Sequence, residues 1–260
     1  MSSKVDSVKA LFEAPEKYLT PFQAEMRLRE EAVRHFTGAL QFDRILDVGC
    51  GNGAISVPLL PQCRSLTLLD LSSAMLNLAR RKVPSERMQD VEFLNANFEE
   101  AELGERKFDL ILCLGVLAHV SSPAAVIAKL SRLAAPGAII VLEFTDSYHF
   151  WSAPVVLYHA LLNLLRPAPY ALNLIREKQV SQWCRQAGLY RTGLYRYARP
   201  PLGCASIFSQ ERIYRMTLGL FGVPGRNRKL WMGNEYICLL GSSDAKQAAG
   251  CTAVRTSPCI

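Results

Sequence analysis

The chain has 260 residues and a formal net charge of +7, and half of its residues are hydrophobic. This length suits one α/β domain with insertions, and the apolar content is ample for a sizeable core. No apolar run approaches the roughly 20 residues of a membrane span, and the N-terminus lacks the apolar core of a secretory signal. We therefore expect a soluble, cytoplasmic protein.

The cysteines and the positive charge exclude fewer classes of protein than the length and the apolar content do. The eight cysteines contain no CxxC pair and no Cys/His cluster at zinc spacing, so we expect reduced, buried thiols and no metal site. Arginines are concentrated late in the chain. They suit an anionic substrate, a phospholipid surface or nucleic acid, or simply a solvated basic face. The late arginines are Arg185, Arg191, Arg196, Arg199, Arg212, Arg215, Arg226 and Arg228.

Residues 1–40 predict an N-terminal helical cap. Thr20 and Pro21 form an N-cap followed by a first-turn proline, and Gly38 is a helix terminator. The apolar positions between them are spaced for one helix face, namely Met26, Leu28, Val33 and Phe36.

From residue 41 short apolar runs alternate with helical patterns. This alternation predicts a parallel sheet with helices on both faces. The predicted strands are 44–49, 65–70, 91–96, 108–115 and 138–145, and the predicted helices are 53–61, 72–82 and 123–134.

After residue 145 the alternation is interrupted by two insertions, 146–175 and 200–232. A helix over 176–189 and a strand over 190–198 are predicted between them, and a last strand over 234–241. The domain of 41–242 therefore carries two lid insertions, and we expect 243–260 to be a poorly ordered tail.

The turn after the first predicted strand carries three glycines. Gly49, Gly51 and Gly53 follow an apolar run and open a predicted helix, where bare backbone N–H groups can meet a polar ligand. Their spacing is G-x-G-x-G, which differs from the dinucleotide pattern G-x-G-x-x-G. Asp70 ends the next run, where a carboxylate can accept both hydroxyls of a ribose. The ligand is therefore expected to contain a ribose and to lie across the carboxyl ends of the strands.

Five segments in succession resemble the motifs of class I S-adenosylmethionine-dependent methyltransferases over residues 46–144. They are "LDVGCGNG", "LLDLSSAML", "EFLNANFEE", "FDLILCLGVLAHV" and "LSRLAAPGAIIVLEF". The resemblance implies S-adenosylmethionine as the cofactor. It also implies a Rossmann-like sheet of mostly parallel strands, the last of seven antiparallel, with an N-terminal helical cap and a lid after the fifth strand. A dehydrogenase would need the other glycine spacing and a nicotinamide site beyond the fourth strand.

The resemblance also implies roles for individual residues. Asp47 and the turn of Gly49, Cys50, Gly51 and Gly53 would face the methionine end. The ribose and adenine would be held by Asp70, Leu71, Asn97 and Phe98, and the sulfonium side lined by Leu114 and Gly115.

One of these assignments departs from the family pattern, and two further residues extend it. Asn97 stands where the family usually has an aspartate, and its amide oxygen can still accept a hydrogen bond from adenine. In related small-molecule methyltransferases an N-terminal segment covers the cofactor, so Tyr18 would close the site and Arg27 would pair with the methionine carboxylate.

Two histidines are candidates for a catalytic base. His119 follows the fourth strand and His149 the fifth, so both belong to the edge of the sheet where the cofactor is expected. A structural role stays open for each of them. In the first insertion Tyr148 and Trp151 are candidates for an apolar acceptor pocket.

The segment "LCLGVL" lacks the Asn/Asp-Pro-Pro-aromatic signature associated with methylation of amide or nucleobase nitrogen, so no nucleic-acid substrate is expected. We predict methyl transfer to an oxygen atom of a small, hydrophobic biosynthetic acceptor, with peripheral contact with lipid. One alternative is carbon methylation of a quinone, isoprenoid or lipid-linked acceptor. Another is a non-catalytic protein that only binds the cofactor, and the oligomeric state stays open.

Overall fold

The computed structural model describes residues 4–19, 22–154, 156–157, 171–198 and 207–242. The strands of this part of the chain are β1 Phe42–Val48, β2 Cys63–Asp70, β3 Val91–Asn95, β4 Phe108–Cys113, β5 Ala134–Thr145, β6 Leu189–Tyr197 and β7 Glu235–Ser242. They form one seven-stranded sheet in the order β3-β2-β1-β4-β5-β7-β6. β1 to β5 are parallel, and β7 runs antiparallel to both of its neighbours. The predicted fold class is confirmed.

The helices start and stop where local chemistry favours it. Ser122 accepts a hydrogen bond from the N–H of Ala125 ahead of a first-turn proline, and Gly38 ends the long N-terminal helix with φ 53°. The predicted cap of that helix, Thr20 and Pro21, lies outside the described residues. The helices are α1 Lys4–Phe12, α2 Pro15–Leu19, α3 Gln23–Thr37, α4 Ser73–Arg80, α5 Pro123–Leu133, α6 Glu177–Gln186 and α7 Gln210–Phe221.

The prediction of an α-helix over 53–61 is wrong. Turns lead from Gly53 into a short 3₁₀-helix, Val57–Gln62, which contains Pro58 and Pro61. A proline inside an α-helix has no N–H to donate, and its ring collides with the carbonyl of the preceding turn. The tighter 3₁₀ form is used in short segments of this kind. The described part of the second insertion contains α7.

Two hydrophobic cores cover the two faces of the sheet. The first contains Leu28 of α3 and Ile45 of β1, and the second contains Leu46 of β1 and Val126 of α5. Successive residues of β1 thus enter opposite cores, which explains why the central strands are apolar at nearly every position.

The site is set by the point where the strand order reverses. β1 has β2 on one side and β4 on the other, and in open α/β sheets a crevice forms at the carboxyl ends of such strands. The turns that follow β1, β2, β3 and β4 all reach this edge. Among the described helices, none is long and apolar enough to cross a membrane, and the tail 243–260 lies outside the described residues.

Candidate cofactor and active site

A cavity opens at the carboxyl ends of β1, β2 and β4, with about 1070 Å³ of empty space including its mouth. α1 and α3 cover it. The structure brings most of the predicted cofactor residues to its wall, namely Asp47, Gly49, Cys50, Gly51, Asp70, Leu71, Asn97, Phe98, Leu114 and Gly115.

The three glycines of the turn after β1 differ in what a side chain at each position would contact. A Cβ at Gly49 would lie 2.6 Å from a methyl group of Val116, and one at Gly53 would lie 2.9 Å from Val57. At Gly51 a Cβ would meet nothing within 4 Å, although φ is 53°. Only Gly51 therefore leaves room for a ligand, which corrects the expectation that all three positions are bare for the same reason.

Asp70 is held in one orientation at the end of β2. Its Oδ2 accepts a hydrogen bond from the N–H of Gly51 and its Oδ1 one from the N–H of Ser72, each at 2.8 Å. Burial raises the pKa of Asp70, and these N–H groups act in the opposite direction. Each carboxylate oxygen can accept a further hydrogen bond, so the pair of oxygens suits a pair of hydroxyls.

Asp47 is the second buried acid of the cavity, with 4% of its surface exposed. Burial raises its pKa to about 7, the negative charge of Asp70 adds to this effect, and the side chain of Ser56 opposes it. A cation arriving beside Asp47 would favour its charged form. This acid is therefore suited to receive an ammonium group.

The loop after β3 forms the third part of the wall. The Asn97 side chain accepts from the N–H of Glu99 and donates to Glu100 Oε1, each at 3.1 Å. The carbonyl of Phe98 accepts from Lys129 Nζ at 2.6 Å. The Asn97 amide is thus already braced, and its oxygen has one acceptor position left for a ligand.

Arg27 does not reach the cavity. Its guanidinium pairs with Glu211 of α7 and lies 3.7 Å from the ring centre of Tyr214, on the exposed side of α3. Arg29 lies on the opposite side of α3, is 5% exposed and lines the cavity beside Gly115. The sequence contains a signal for this, because Arg29 is three and four residues from the buried Ala32 and Val33.

α1, part of the predicted N-terminal helical cap, closes the cavity from above. Val5, Val8 and Phe12 share one helix face and line the cavity. Lys4 Nζ donates to the carbonyl of Val120 at 2.8 Å, and Ser72 Oγ donates to the carbonyl of Phe12 at 2.9 Å, so both ends of α1 are fastened. The side chain of Tyr18, in α2, lies outside the described residues.

The two candidate histidines have different surroundings. His119 lines the cavity, and its ring meets that of Phe12 edge-on at 5.4 Å. His149 is not part of the cavity wall. Its Nδ1 accepts from the N–H of Trp151 at 3.2 Å, so its Nε2 carries the proton and donates to the carbonyl of Trp231 at 2.8 Å. Both ring nitrogens of His149 are therefore occupied, one within its own turn and one in a contact with the turn that contains Trp231.

The predicted acceptor residues also lie away from this wall. Tyr148 is 55% exposed beneath the guanidinium of Arg176, and Trp151 packs against the first core. Residues 158–170 of the first insertion and 200–206 of the second lie outside the described residues. The acceptor pocket stays a prediction.

Comparison with known proteins identifies the family. A family model described as a methyltransferase domain matches residues 46–142. The ubiquinone biosynthesis O-methyltransferase of Alkalilimnicola ehrlichii is 30% identical over 193 residues, which cover 72% of this chain and 76% of that relative. The chain belongs to the class I S-adenosylmethionine-dependent methyltransferases. Another ubiquinone biosynthesis O-methyltransferase, from Aromatoleum aromaticum, is 31% identical over 162 residues, which cover 61% of this chain and 69% of that relative.

Solved methyltransferase structures agree with this fold. The magnesium protoporphyrin IX methyltransferase of Synechocystis with bound S-adenosylhomocysteine has a TM-score of 0.64 at 14% identity, covering 93% of this chain and 100% of that one. An S-adenosylmethionine-dependent methyltransferase of Thermotoga maritima gives the same TM-score and identity, over 92% and 99% of the two chains. At this identity the likeness concerns the fold alone.

The cavity of this methyltransferase fits its cofactor, S-adenosylmethionine. Asp47 suits the ammonium group, Asp70 suits the ribose hydroxyls, and Gly51 leaves the space that a close ligand needs. The positive charge required for the methionine carboxylate is present in Arg29.

Proposed function

We propose that this methyltransferase transfers the methyl group of S-adenosylmethionine to an oxygen atom of a small, hydrophobic acceptor. The observation that carries the proposal is the set of relatives named ubiquinone biosynthesis O-methyltransferase, which match over most of their length. The apolar side chains of α1 that line the cavity support an acceptor of low polarity.

In this proposal the chain's own residues bind and orient the reactants. Asp47 and Arg29 hold the amino acid end of the cofactor, and Asp70 holds its ribose. Leu71, Asn97 and Phe98 surround the adenine, and Leu114 and Gly115 lie on the sulfonium side. S-adenosylmethionine supplies an electrophilic methyl group on a sulfonium, so alignment and a dry site provide much of the acceleration. Val5, Val8 and Phe12 of α1 exclude water from the cavity.

An oxygen acceptor must also lose its proton, and we assign this step to His119. It is the histidine of the described chain that lines the cavity, and a neutral imidazole nitrogen can take a hydroxyl proton. His149 is less suited, because its Nδ1 already accepts a hydrogen bond and its Nε2 donates one.

The test uses pairs of acceptors that share a hydrophobic skeleton and differ only in carrying a hydroxyl or an amino group. The enzyme is incubated with S-adenosylmethionine labelled with ¹³C in the methyl group, and the product carbon is identified by NMR. A methoxy carbon is the expected result. An N-methyl or C-methyl carbon would contradict the choice of oxygen, and absence of S-adenosylhomocysteine formation with all acceptors would favour the non-catalytic alternative.

Peripheral contact with lipid is the second part of the proposal. Phe150 and Trp231 stack with ring centres 6.0 Å apart and are 54% and 67% exposed. Arg228 and Lys229 are exposed and precede Trp231 by three and two positions in the chain. Aromatic and basic side chains together suit an anionic lipid surface. We expect sedimentation with anionic but not zwitterionic vesicles, and loss of binding in Trp231→Ala; equal binding to both vesicle types would contradict this.

A further inference from the structure

Arg29 is paired with a glutamate that does not itself reach the cavity. Arg29 Nε lies 2.7 Å from Glu143 Oε2, and the two side chains are 6% and 2% exposed. Glu143 belongs to β5 and is absent from the cavity wall, whereas Arg29 belongs to that wall. Glu143 thus lies behind Arg29 as seen from the cavity.

The far side of the guanidinium lies against Gly115. A Cβ at this glycine would be 2.9 Å from one terminal nitrogen of Arg29 and 3.6 Å from the other. Gly115 has φ 73°, so the backbone turns away and the guanidinium occupies the space of a side chain. The terminal nitrogens therefore lie beside Gly115 at the cavity wall, while Nε lies 2.7 Å from Glu143 Oε2.

A guanidinium presents its donors in a planar fork with a fixed geometry. The close ion pair of Nε with Glu143 therefore restrains the orientation of the terminal nitrogens as well. The Tyr197 hydroxyl donates to the other carboxylate oxygen, Glu143 Oε1, over a longer distance of 3.4 Å, and not to the oxygen that pairs with Arg29. The orientation of Arg29 is thus restrained by Glu143 of β5.

We propose that Glu143 is a positioning residue for the methionine carboxylate of the cofactor, acting through Arg29. This rests on the role given to Arg29 under the proposed function. In this arrangement the Arg29 guanidinium lies between the Glu143 carboxylate and the methionine carboxylate of the cofactor. The attraction between Arg29 and the cofactor carboxylate therefore acts over a shorter distance than the repulsion between Glu143 and that carboxylate. Without Glu143 the buried cation would lack its counter-charge and would move from the orientation that the ligand requires.

The test compares two ligands by calorimetry. S-adenosylhomocysteine carries the amino acid end, and 5′-methylthioadenosine has the same nucleoside and thioether without it. In Glu143→Gln we expect about tenfold weaker binding of S-adenosylhomocysteine and unchanged binding of 5′-methylthioadenosine. A purely structural ion pair would weaken both ligands equally or neither, and either result would overturn the proposal.

Glu143→Asp is the second variant in case Glu143→Gln does not fold, because it keeps the charge and shortens the side chain. We expect the same selective loss at a smaller size, and equal losses for both ligands would again overturn the proposal. Tyr197→Phe is the matched control, since it alters the same buried cluster and leaves the Arg29 contact in place. Its ratio of the two affinities is expected to stay at the wild-type value.

Arg29→Gln separates failure of this inference from failure of the proposed role of Arg29. If Arg29→Gln leaves both affinities unchanged, the carboxylate site assigned to Arg29 is wrong. If it selectively weakens S-adenosylhomocysteine, Arg29→Gln combined with Glu143→Gln is expected to bind no more weakly than Arg29→Gln alone. Additive losses in the double variant would show that Glu143 acts without Arg29 and would overturn the inference.

Discussion

Asp70 Oδ2 accepts a hydrogen bond from the N–H of Gly51 at 2.8 Å, which ties the end of β2 to the turn after β1. The N–H of Ser72 holds the other carboxylate oxygen at the same distance. A carboxylate fixed on both oxygens is oriented before any ligand arrives, so binding requires little reorganisation. The relationship also makes Asp70 part of the turn that it faces. Removal of its side chain therefore takes away an acceptor for the ligand and a hydrogen bond that holds the turn.

Asp70→Ala is expected to weaken binding of S-adenosylhomocysteine by about 2 kcal/mol or more, since the ribose loses a charged acceptor. Calorimetry measures this loss. Asp109→Ala is the matched control, because Asp109 Oδ2 also accepts from two backbone N–H groups, those of Asp43 and Arg44, at 2.9 and 2.8 Å. Asp109 lies near the start of β4, at the opposite end of the strand from the cavity. Equal losses of affinity in both variants would refute the ribose contact.

Cofactor affinity is expected to rise with pH up to about the pKa of Asp47. This pKa is raised to about 7 in the ligand-free fold, and the ammonium group of the ligand binds the charged form. Below that pH the acid must release a proton on binding, so affinity falls by up to about tenfold per pH unit. Asp47→Asn should bind more weakly at pH 8 and lose this slope; a wild-type curve that is flat from pH 6 to 8 would contradict the assignment.

The same acid affects stability in the opposite direction. Its pKa is higher in the fold than in the unfolded chain, where an aspartate titrates near 4. The folded state therefore binds the proton more tightly, and this contribution to stability is lost as the pH rises from about 4 through 7. Chemical denaturation at several pH values should show that Asp47→Asn is less sensitive to pH than the wild type.

Gly51→Ala is expected to reduce cofactor affinity because it places a methyl group in the cavity. Gly104→Ala is the control: Gly104 has φ 59° and open space around it, as Gly51 does, and it is not part of the cavity wall. Both variants should lose about 1 kcal/mol of stability, the cost of a left-handed backbone. Only Gly51→Ala should weaken ligand binding, and a loss in both would mean that strain alone explains it.

His119→Ala is expected to lower turnover by about 100-fold or more on an oxygen acceptor, since a general base contributes this much. Affinity for S-adenosylhomocysteine should change little. His149→Ala should keep its turnover and lose thermal stability, because one hydrogen bond within the 146–152 turn and one from it to Trp231 disappear. Steady-state kinetics of both variants measures these turnover numbers. A large loss of turnover in His149→Ala with little loss in His119→Ala would assign the base to His149 instead.

Lys4→Met is expected to speed release of the cofactor. Lys4 Nζ fastens the first turn of α1 to the carbonyl of Val120 and to Asn173 Oδ1, and α1 covers the cavity. Lys9→Met is the control on the same helix, since Lys9 is exposed. Stopped-flow displacement of bound S-adenosylhomocysteine measures the dissociation rate. Equal rates in the two variants would show that α1 does not control release.

The sequence by itself determined the strands, the parallel direction of the first five and the cofactor edge. Buried parallel strands need apolar residues on both faces, and a turn that lets a ligand approach the backbone needs glycine. Both features therefore depend on residues that are neighbours in the sequence. Asp47, Asp70 and Gly51 could be found for the same reason. Each lies at or directly after the end of a strand, where position along the chain gives position in space.

Tertiary structure alone decided which of two nearby arginines enters the site, which histidine lines the cavity, and how the N-terminal cover is fastened. Arg27 and Arg29 differ by two positions, but the neighbours that separate them, Glu211 and Glu143, are more than 100 residues away in the chain. His149 is engaged by the carbonyl of Trp231, and α1 is fastened to Val120. These contacts join distant segments, and their geometry depends on how helices pack on the sheet, which no local pattern of residues encodes.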